Sequence, residues 1–219
     1  MTAAPPASPP VFVQDPRRGP FNAAFFDRFG PVIDRALRRR KALVYADLPD
    51  RVVEIGSGVG ANLRYLAPGS TLVAVEPNRA MHARLRADAL WLGIRLELHE
   101  RMAESTGLPD SSADVVISSL VLCSVADPEA VLAEVRRVLR PGGTFRFLEH
   151  VVAERGTFTR VVQRLLRRPW AWVFEGCSCE RDLESAVRAA GFASIEVERY
   201  RIRTPFVPFN THIAGMARA

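Results

Sequence analysis

The sequence predicts a doubly wound α/β fold, in which helices cover both faces of a mainly parallel, seven-stranded sheet. Five short β-branched or Leu-rich runs alternate with longer helical patterns, which is the order of elements that a parallel sheet requires. Two more runs follow, joined by a link too short for a helical crossover, so we expect them to pair antiparallel. The predicted strands are residues 52–55, 71–76, 94–100, 113–120, 144–150, 194–202 and 209–219.

The composition is that of a single globular domain. The chain has 219 residues, of which 48% are hydrophobic and 25% are charged, and this balance excludes disordered, collagen-like and coiled-coil classes. It contains no apolar run of 18 residues and only three cysteines. We therefore expect neither a membrane span nor a secreted disulfide scaffold, and predict a cytoplasmic protein.

The net charge of +6 comes from arginine, since Lys41 is the only lysine. Two interpretations remain open. The excess of positive charge can attract an anionic partner such as nucleic acid or acidic lipid, or it can reflect a general preference for arginine over lysine. The spread of arginines along the whole chain favours the second interpretation.

The chain is expected to begin with an arm. Residues 1–20 contain six prolines, which predicts a flexible segment. Residues 21–47 have a helical pattern, and Pro31 stands where a second helix would begin. The remaining sequence shows no repeat and no change of composition, so residues 21–219 are predicted to form one domain.

The strongest motif is a glycine-rich loop after the first strand, in VVEIGSGVGANL at 52–63. Glycines there allow a tight turn and bring bare backbone against a ligand, at the N-terminus of the helix expected to follow. Gly56, Gly58 and Ala61 fit the dinucleotide-binding pattern. Gly56, Gly58 and Gly60 fit the loop that methyltransferases use for S-adenosylmethionine equally well, so glycine spacing does not decide.

Other positions favour the methyltransferase interpretation. Glu54 lies inside the first strand, where a buried carboxylate needs a partner, and the cofactor's ammonium would supply one. Glu76 ends the second strand, where an acid can hold ribose hydroxyls in either class. The LRPGG turn at 139–143, together with the terminal hairpin, is typical of methyltransferases and not of dehydrogenases.

On these motifs, residues 52–150 resemble a class I S-adenosylmethionine-dependent methyltransferase, and the motif order extends over nearly all of 21–219. The chain is most similar to the methyltransferase-like family that includes alkyl thiol methyltransferases. The shared strings are SLVLCSV at 119–125, EVRRVLRPGG at 134–143, EHV at 149–151, EGCSCERD at 175–182 and THIAGMA at 211–217. The resemblance implies a Rossmann-like sheet of order 3-2-1-4-5-7-6 with an antiparallel strand 7. Residues 1–20 are Pro-rich and polar, so we do not expect the apolar N-terminal membrane anchor of that family.

The resemblance also implies a set of cofactor-binding residues. The first loop would hold the methionine part, the acid after the second strand the ribose, and the next two residues the adenine side. Met102 stands where many relatives have an adenine-binding Asp, so here it would pack on the adenine while Ala103 backbone reads its edge. The full predicted set is Glu54, Gly56, Ser57, Gly58, Gly60, Asn62, Glu76, Pro77, Asn78, Met102, Ala103, Ser119 and Leu120.

Two histidines are candidate catalytic groups. His150 follows the fifth strand at its carboxyl end, where ligands bind in open α/β sheets, and His212 lies in the terminal hairpin. The alternative for each is a hydrogen-bonded structural role.

The remaining candidates are not expected to take part in catalysis. His82 is expected on the surface. Cys177 and Cys179 form a C-x-C pair without the spacing of a zinc site, so no metal is predicted.

Two segments are predicted to form lids over the acceptor pocket: the helical residues 21–47 and an insertion at about 151–179. Phe25, Phe26, Trp170 and Trp172 are the expected pocket walls, because rigid aromatics shape an apolar pocket. The second segment interleaves arginine with tryptophan and leucine, so peripheral contact with an anionic membrane is an alternative use of it.

The sequence thus predicts S-adenosylmethionine-dependent methyl transfer to a small acceptor, with an apolar thiol favoured. An amine or phospholipid-headgroup N-methyltransferase is the alternative acceptor class. A cofactor-binding module without catalysis and an NAD(P) oxidoreductase are the alternatives from other classes. No nucleic-acid partner is expected, because the chain has no N/D-P-P-Y/F/W string.

Overall fold

The computed structural model describes residues 12–219, and the predicted fold class is confirmed. One sheet contains all seven strands of these residues, in the order β3-β2-β1-β4-β5-β7-β6. The strands are β1 Arg51–Ile55, β2 Thr71–Val75, β3 Arg95–His99, β4 Ala113–Ser119, β5 Leu139–His150, β6 Ser194–Arg201 and β7 Thr211–Arg218. All neighbouring pairs are parallel except those of β7, which runs antiparallel to both β5 and β6.

Helices pack on both faces of this sheet. They are α1 Arg18–Val44, α2 Arg79–Trp91, α3 Pro128–Val138, α4 Phe158–Val173 and α5 Leu183–Ala189. Alternate residues of β1 belong to two separate apolar clusters, since Val53 and Ile55 join one while Val52 joins the other. Successive side chains of a strand point to opposite faces, so both faces of the sheet are buried. No helix of residues 12–219 is long and apolar enough to cross a membrane.

The α1 helix departs from the prediction, because it begins at Arg18 and runs through Pro31 without a break. The missing backbone donor of an exposed proline costs a hydrogen bond, but α1 has buried residues on both sides of it, such as Asn22 before and Leu37 after, which form its inner face. On that face Asp34 and Lys41 are buried with their charged atoms 3.1 Å apart. Residues 1–11 of the predicted arm lie outside the described residues.

The LRPGG turn lies where it was predicted, as an excursion at the start of β5. Leu139 pairs with Ala113 of β4, and pairing resumes only at Thr144. Gly142 has a φ of +80°, and a Cβ on Gly143 would lie 2.9 Å from the Arg140 carbonyl oxygen. The two glycines are therefore required by the turn itself.

Candidate active site at the carboxyl ends of the strands

The glycine loop after β1 turns through three residues in the left-handed region. Gly56, Gly58 and Gly60 have φ values of +62°, +55° and +91°. A Cβ on Gly56 would lie 2.4 Å from Val121 Cγ2, whereas one on Gly58 would meet nothing nearer than Met81 Sδ at 3.6 Å. Gly56 is thus fixed by packing, while the space beside Gly58 is open to a ligand.

The helix expected directly after this loop does not form. Residues 57–66 are turns followed by a three-residue 3-10 helix, Leu63–Tyr65. Three left-handed glycines precede it and the Pro68-Gly69 turn follows, which leaves too few residues for a sustained α-helix. A ligand at this loop therefore has no helix N-terminus behind it, and the N–H groups of the three glycines already donate within the protein, to the Val75 carbonyl oxygen, Glu76 Oε2 and the Ser57 carbonyl oxygen.

Glu54 is the most distinctive group of the site. Its side chain is 1% exposed, and Asn62 Nδ2 donates to its Oε1 at 2.6 Å. Its Oε2 has no hydrogen-bond partner among the described residues. Burial raises the pKa of this carboxyl to about 7, against the opposing effect of Asn62. Ser57 closes the loop by donating from Oγ to the Glu54 carbonyl oxygen at 3.3 Å.

Glu76, at the end of β2, faces the same loop. Its Oε2 accepts from the Gly58 N–H and its Oε1 from the Asn78 N–H, both at 2.8 Å. Burial raises its pKa to about 7 as well. His82 is buried, contrary to the surface position expected for it, and its Nε2 lies 2.9 Å from the Glu76 carbonyl oxygen.

Pro77 and Asn78 contact two parts of the chain: residues 14 and 19, within the segment predicted to be the arm, and residue 175 of the second predicted lid segment. Gln14 Nε2 donates to the Pro77 carbonyl oxygen. Asn78 Nδ2 donates to the Gly19 carbonyl oxygen at 3.4 Å and to Glu175 Oε2 at 3.3 Å. The start of α1 and the segment after α4 therefore both close over the end of β2.

The predicted adenine and sulfonium contacts stay predictions, although the structure brings their residues to the same edge of the sheet. Met102 and Ser119 are half-buried and Ala103 is buried. Leu120 has a φ of +63°, an uncommon conformation for a residue with a side chain that signals a tightly held loop.

A residue that the site prediction omitted, Glu149 of β5, holds this loop. Its Oε1 accepts from Ser118 Oγ at 2.6 Å and from the Val121 N–H at 3.2 Å, and its Oε2 accepts from the Leu122 N–H at 3.1 Å. The carboxyl is fully buried, and this burial raises its pKa to about 7. The EHV string at 149–151 contained this signal, but the buried position of the acid could not be read from it.

The two candidate histidines pair across β5 and β7, and both are fully buried. His150 Nε2 lies 2.7 Å from the Pro208 carbonyl oxygen. Neither ring nitrogen of His212 has a partner among the described residues. Burial, and then the neighbouring His150, lower the pKa of His212 well below its ordinary value. His212 is therefore a neutral imidazole at pH 7.

The structure also brings together three side chains that the sequence did not connect. Cys177 Sγ lies 3.4 Å from Cys123 Sγ and 3.8 Å from His150 Nδ1. The ligand atoms of these three residues all lie within 4.8 Å of one another. Cys179, the other member of the C-x-C pair, points elsewhere and donates to the Gln163 carbonyl oxygen at 3.3 Å.

Aromatic residues join the two segments predicted to be lids. The Phe25 ring lies 5.2 Å from Phe174, whose ring lies 4.6 Å from Trp170. Phe26 packs only at the edge of this row, 5.4 Å from Phe25. Trp172 is 68% exposed on the outer side of α4, because its position lies on the face turned from Trp170. The expectation that Trp172 forms a pocket wall is corrected accordingly.

The comparisons with known proteins agree with this geometry. Residues 53–147 match the family described as "Methyltransferase domain". The chain is 35% identical to the thiol S-methyltransferase TMT1B of Homo sapiens over 81% of this chain and 74% of that protein. It is 29% identical to TMT1A of Homo sapiens, over 88% and 84% of the two chains.

A solved S-adenosylmethionine-dependent methyltransferase from Mesorhizobium loti shares the fold, with a TM-score of 0.60 at 24% identity over 84% of this chain and 98% of that one. The fold and the glycine-loop site define a class I S-adenosylmethionine-dependent methyltransferase. Within that class, the chain belongs to the family of the thiol S-methyltransferases TMT1A and TMT1B. The predicted resemblance and cofactor are confirmed, and the NAD(P) oxidoreductase alternative is dropped.

The site residues fit S-adenosylmethionine on grounds independent of these comparisons. The buried, unpartnered Oε2 of Glu54 suits a cationic amino group. The open side of Gly58 allows close approach to its backbone. When bound, the cofactor supplies an electrophilic methyl group on a sulfonium.

Proposed function

We propose that this methyltransferase acts on small apolar thiols. The observation that carries the proposal is the similarity to thiol S-methyltransferases over most of the chain, combined with the chemistry of the candidate bases. A thiol is far more acidic than an alcohol, so it loses its proton with little help from a base, whereas an alcohol needs a strong base. His150 and His212 offer imidazoles in an apolar setting.

The aromatic row supports an apolar acceptor. Phe25, Phe174 and Trp170 extend from α1 towards His150, whose ring lies 6.4 Å from Trp170. These rings would shield the reacting methyl from water and hold the acceptor by apolar contact. We propose Phe25 and Trp170 as its walls, and the predicted set Glu54, Gly58, Glu76 and Asn78 as the core of the cofactor site.

The test is a panel of alkyl and aryl thiols, matched primary amines and a phosphoethanolamine headgroup, with S-adenosylhomocysteine and methylated product measured by mass spectrometry. The expected result is a kcat/KM for thiols at least tenfold above that for amines, about 1.4 kcal/mol in transition-state binding. Turnover of amines or the headgroup without turnover of thiols would assign the enzyme to the alternative acceptor class.

The lid role is tested with a matched pair of variants. Phe25→Ala removes the aromatic contact between the two segments and should lower kcat/KM for thiols while leaving the cofactor Kd within about fivefold, since the two sites share few contacts. Trp172→Ala, on the exposed face, is the control and should change neither. Equal loss of cofactor and acceptor binding in Phe25→Ala would show that the aromatics only stabilise the fold.

We further propose that the outer face of α4 contacts an anionic membrane surface. Apolar side chains there are exposed, with Phe158, Leu165 and Trp172 at 74%, 73% and 68%, and they alternate with arginines in the sequence. Such a face can lie in a lipid headgroup layer. Flotation with phosphatidylserine-containing vesicles should recover the wild type but not Leu165→Glu, and equal recovery of both would refute the contact.

A further inference from the structure

The second site in this chain is formed by three ligand-bearing residues far apart in the sequence. Cys123 lies in the turn after β4, His150 is the last residue of β5, and Cys177 lies in the segment after α4. All three are buried, at 2%, 0% and 8% exposure. Two sulfurs and one imidazole nitrogen thus meet in a water-poor environment, which is the donor set that thiophilic cations prefer over calcium or magnesium.

The spacing of the donor atoms is close to that of a metal-ligand shell. Tetrahedral zinc, with bonds of about 2.3 Å to sulfur and about 2.0–2.1 Å to nitrogen, sets its ligands about 3.5–3.8 Å apart. Here Cys177 Sγ lies 3.4 Å from Cys123 Sγ and 3.8 Å from His150 Nδ1, and all three atoms lie within 4.8 Å of one another. The first two distances fit this spacing within about 0.4 Å. Cys123 Sγ and His150 Nδ1 lie up to 4.8 Å apart, so these two side chains would move together by up to about 1.3 Å when an ion binds.

The surroundings orient His150 as a ligand. The Pro208 carbonyl oxygen, 2.7 Å from Nε2, can only accept a hydrogen bond, so the ring proton is on Nε2 and the lone pair is on Nδ1. Gln163 Nε2 donates to the same carbonyl at 3.0 Å and fixes its position. A ring N–H given to a backbone carbonyl is the usual outer contact of a metal-binding histidine.

The sulfur of Cys177 is supported in a similar way. Trp170 Nε1–H donates to Cys177 Sγ at 3.3 Å, and a donor of this kind stabilises the thiolate that a metal requires. Cys123 is further fixed by the turn in which it lies, since the Ser178 N–H donates to its carbonyl oxygen at 2.7 Å. That hydrogen bond joins the turn after β4 to the segment that carries Cys177.

We propose that Cys123, His150 and Cys177 bind one zinc ion, with the fourth position left to a small exogenous ligand. The ion would join the β4 turn, the end of β5 and the segment after α4. It would therefore fix the second lid segment to the sheet. With the proton on Nε2 and zinc on Nδ1, His150 could not also act as a base, so the zinc-bound chain leaves His212 as the candidate base. The proposal holds whichever methyl acceptor the enzyme uses.

The test measures zinc directly on the full chain, kept reduced with a phosphine. Metal content is determined by mass spectrometry after dialysis, and affinity by titration against a chromophoric chelator. The wild type should hold about one zinc per chain. Cys123→Ser and Cys177→Ser should each weaken binding by more than about 100-fold, beyond the effect of an outer contact. Trp170→Phe, which removes the N–H donor, should weaken it by about 10- to 100-fold.

Cys179→Ser is the matched control, because Cys179 is buried beside the cluster but bonds to a carbonyl outside it. It should keep the wild-type zinc affinity. Circular dichroism and cofactor affinity establish that each variant is folded. As a readout that needs no variant, cobalt added to the wild type should give a thiolate-to-cobalt charge-transfer band. A reduced wild type that binds neither zinc nor cobalt, or a loss of zinc in Cys179→Ser equal to that in Cys177→Ser, would overturn the proposal.

Discussion

Glu54→Gln is the sharpest test of the cofactor site. The amide keeps the shape of the side chain and can still accept from Asn62, as Oε1 does at 2.6 Å. It replaces the unpartnered Oε2 with an NH₂ group. This group is a hydrogen-bond donor, as is the cofactor's ammonium, so the two cannot bond to each other. The loss of a hydrogen bond to a charged group is worth about 1.5–3 kcal/mol. We therefore expect cofactor affinity at pH 8 to fall by about 10- to 150-fold.

The same variant tests the protonation of Glu54. With a pKa of about 7, the carboxyl is about 90% protonated at pH 6 and about 10% protonated at pH 8. A bound cation lowers this pKa, so binding releases up to one proton at pH 6 and few at pH 8. By linkage, wild-type affinity should fall by up to about tenfold per pH unit below pH 7 on account of this group.

The assay is titration calorimetry at pH 6 and pH 8 in two buffers of different ionisation enthalpy, which counts the protons released. Glu76 also has a pKa of about 7 and contributes to the total, so the decisive quantity is the difference between the wild type and Glu54→Gln. Glu149→Gln is the control, because both oxygens of Glu149 are already bound by the chain. Equal proton release at pH 6 by wild type and Glu54→Gln, with equal affinity, would refute the assignment.

The remaining predictions concern stability, measured by urea unfolding. Gly56→Ala should lower the free energy of unfolding more than Gly58→Ala. Both variants place a side chain in the left-handed region, which costs about 1–2 kcal/mol, but only the Cβ at position 56 would lie 2.4 Å from a neighbouring side chain. Equal losses would refute that packing. Asp34→Ala should cost about 3–5 kcal/mol, since it leaves a buried lysine 3.1 Å away without its main partner; a loss below 1 kcal/mol would contradict this. Glu149→Gln should cost about 1–3 kcal/mol at pH 5 by leaving the Leu122 N–H without an acceptor. Burial raises the pKa of Glu149 in the folded state to about 7, so the wild type loses stability as pH rises from 5 to 8. The deficit of Glu149→Gln should therefore shrink at pH 8, and a growing deficit would contradict the sign.

The strand order was predictable because each strand carries its own local pattern and each link has a characteristic length. The continuous α1 was not, because Gly30-Pro31 is a strong local boundary signal that a buried inner face on both sides overrides. The short 3-10 helix after the glycine loop was not predicted, because here the local pattern indicates a helix that the structure does not form. The apolar pattern at 61–67 suits an α-helix, but the left-handed glycines before it leave too few residues for one.

The cysteine cluster shows the limit of spacing arguments. The C-x-C pair drew attention to neighbours in sequence, and these point apart in the structure. The true neighbours of Cys177 are 54 and 27 residues away. They meet because the carboxyl ends of β4 and β5 lie side by side at one edge of the sheet. Only the strand order, combined with the path of the chain after α4, brings them together.

The three buried glutamates of this edge differ in how fully their oxygens are partnered, and that difference separates their roles. Burial raises the pKa of each to about 7, so the size of the shift does not distinguish a ligand from a support. Both oxygens of Glu149 accept hydrogen bonds from the loop after β4. Both oxygens of Glu76 accept from backbone N–H groups, one from Gly58 and the other from Asn78. Glu54 alone of the three keeps an oxygen without a partner. An unpaired buried oxygen costs about 1–3 kcal/mol in the folded chain. A cation bound to Glu54 would remove that cost, whereas at the other two glutamates hydrogen bonds within the protein already remove it.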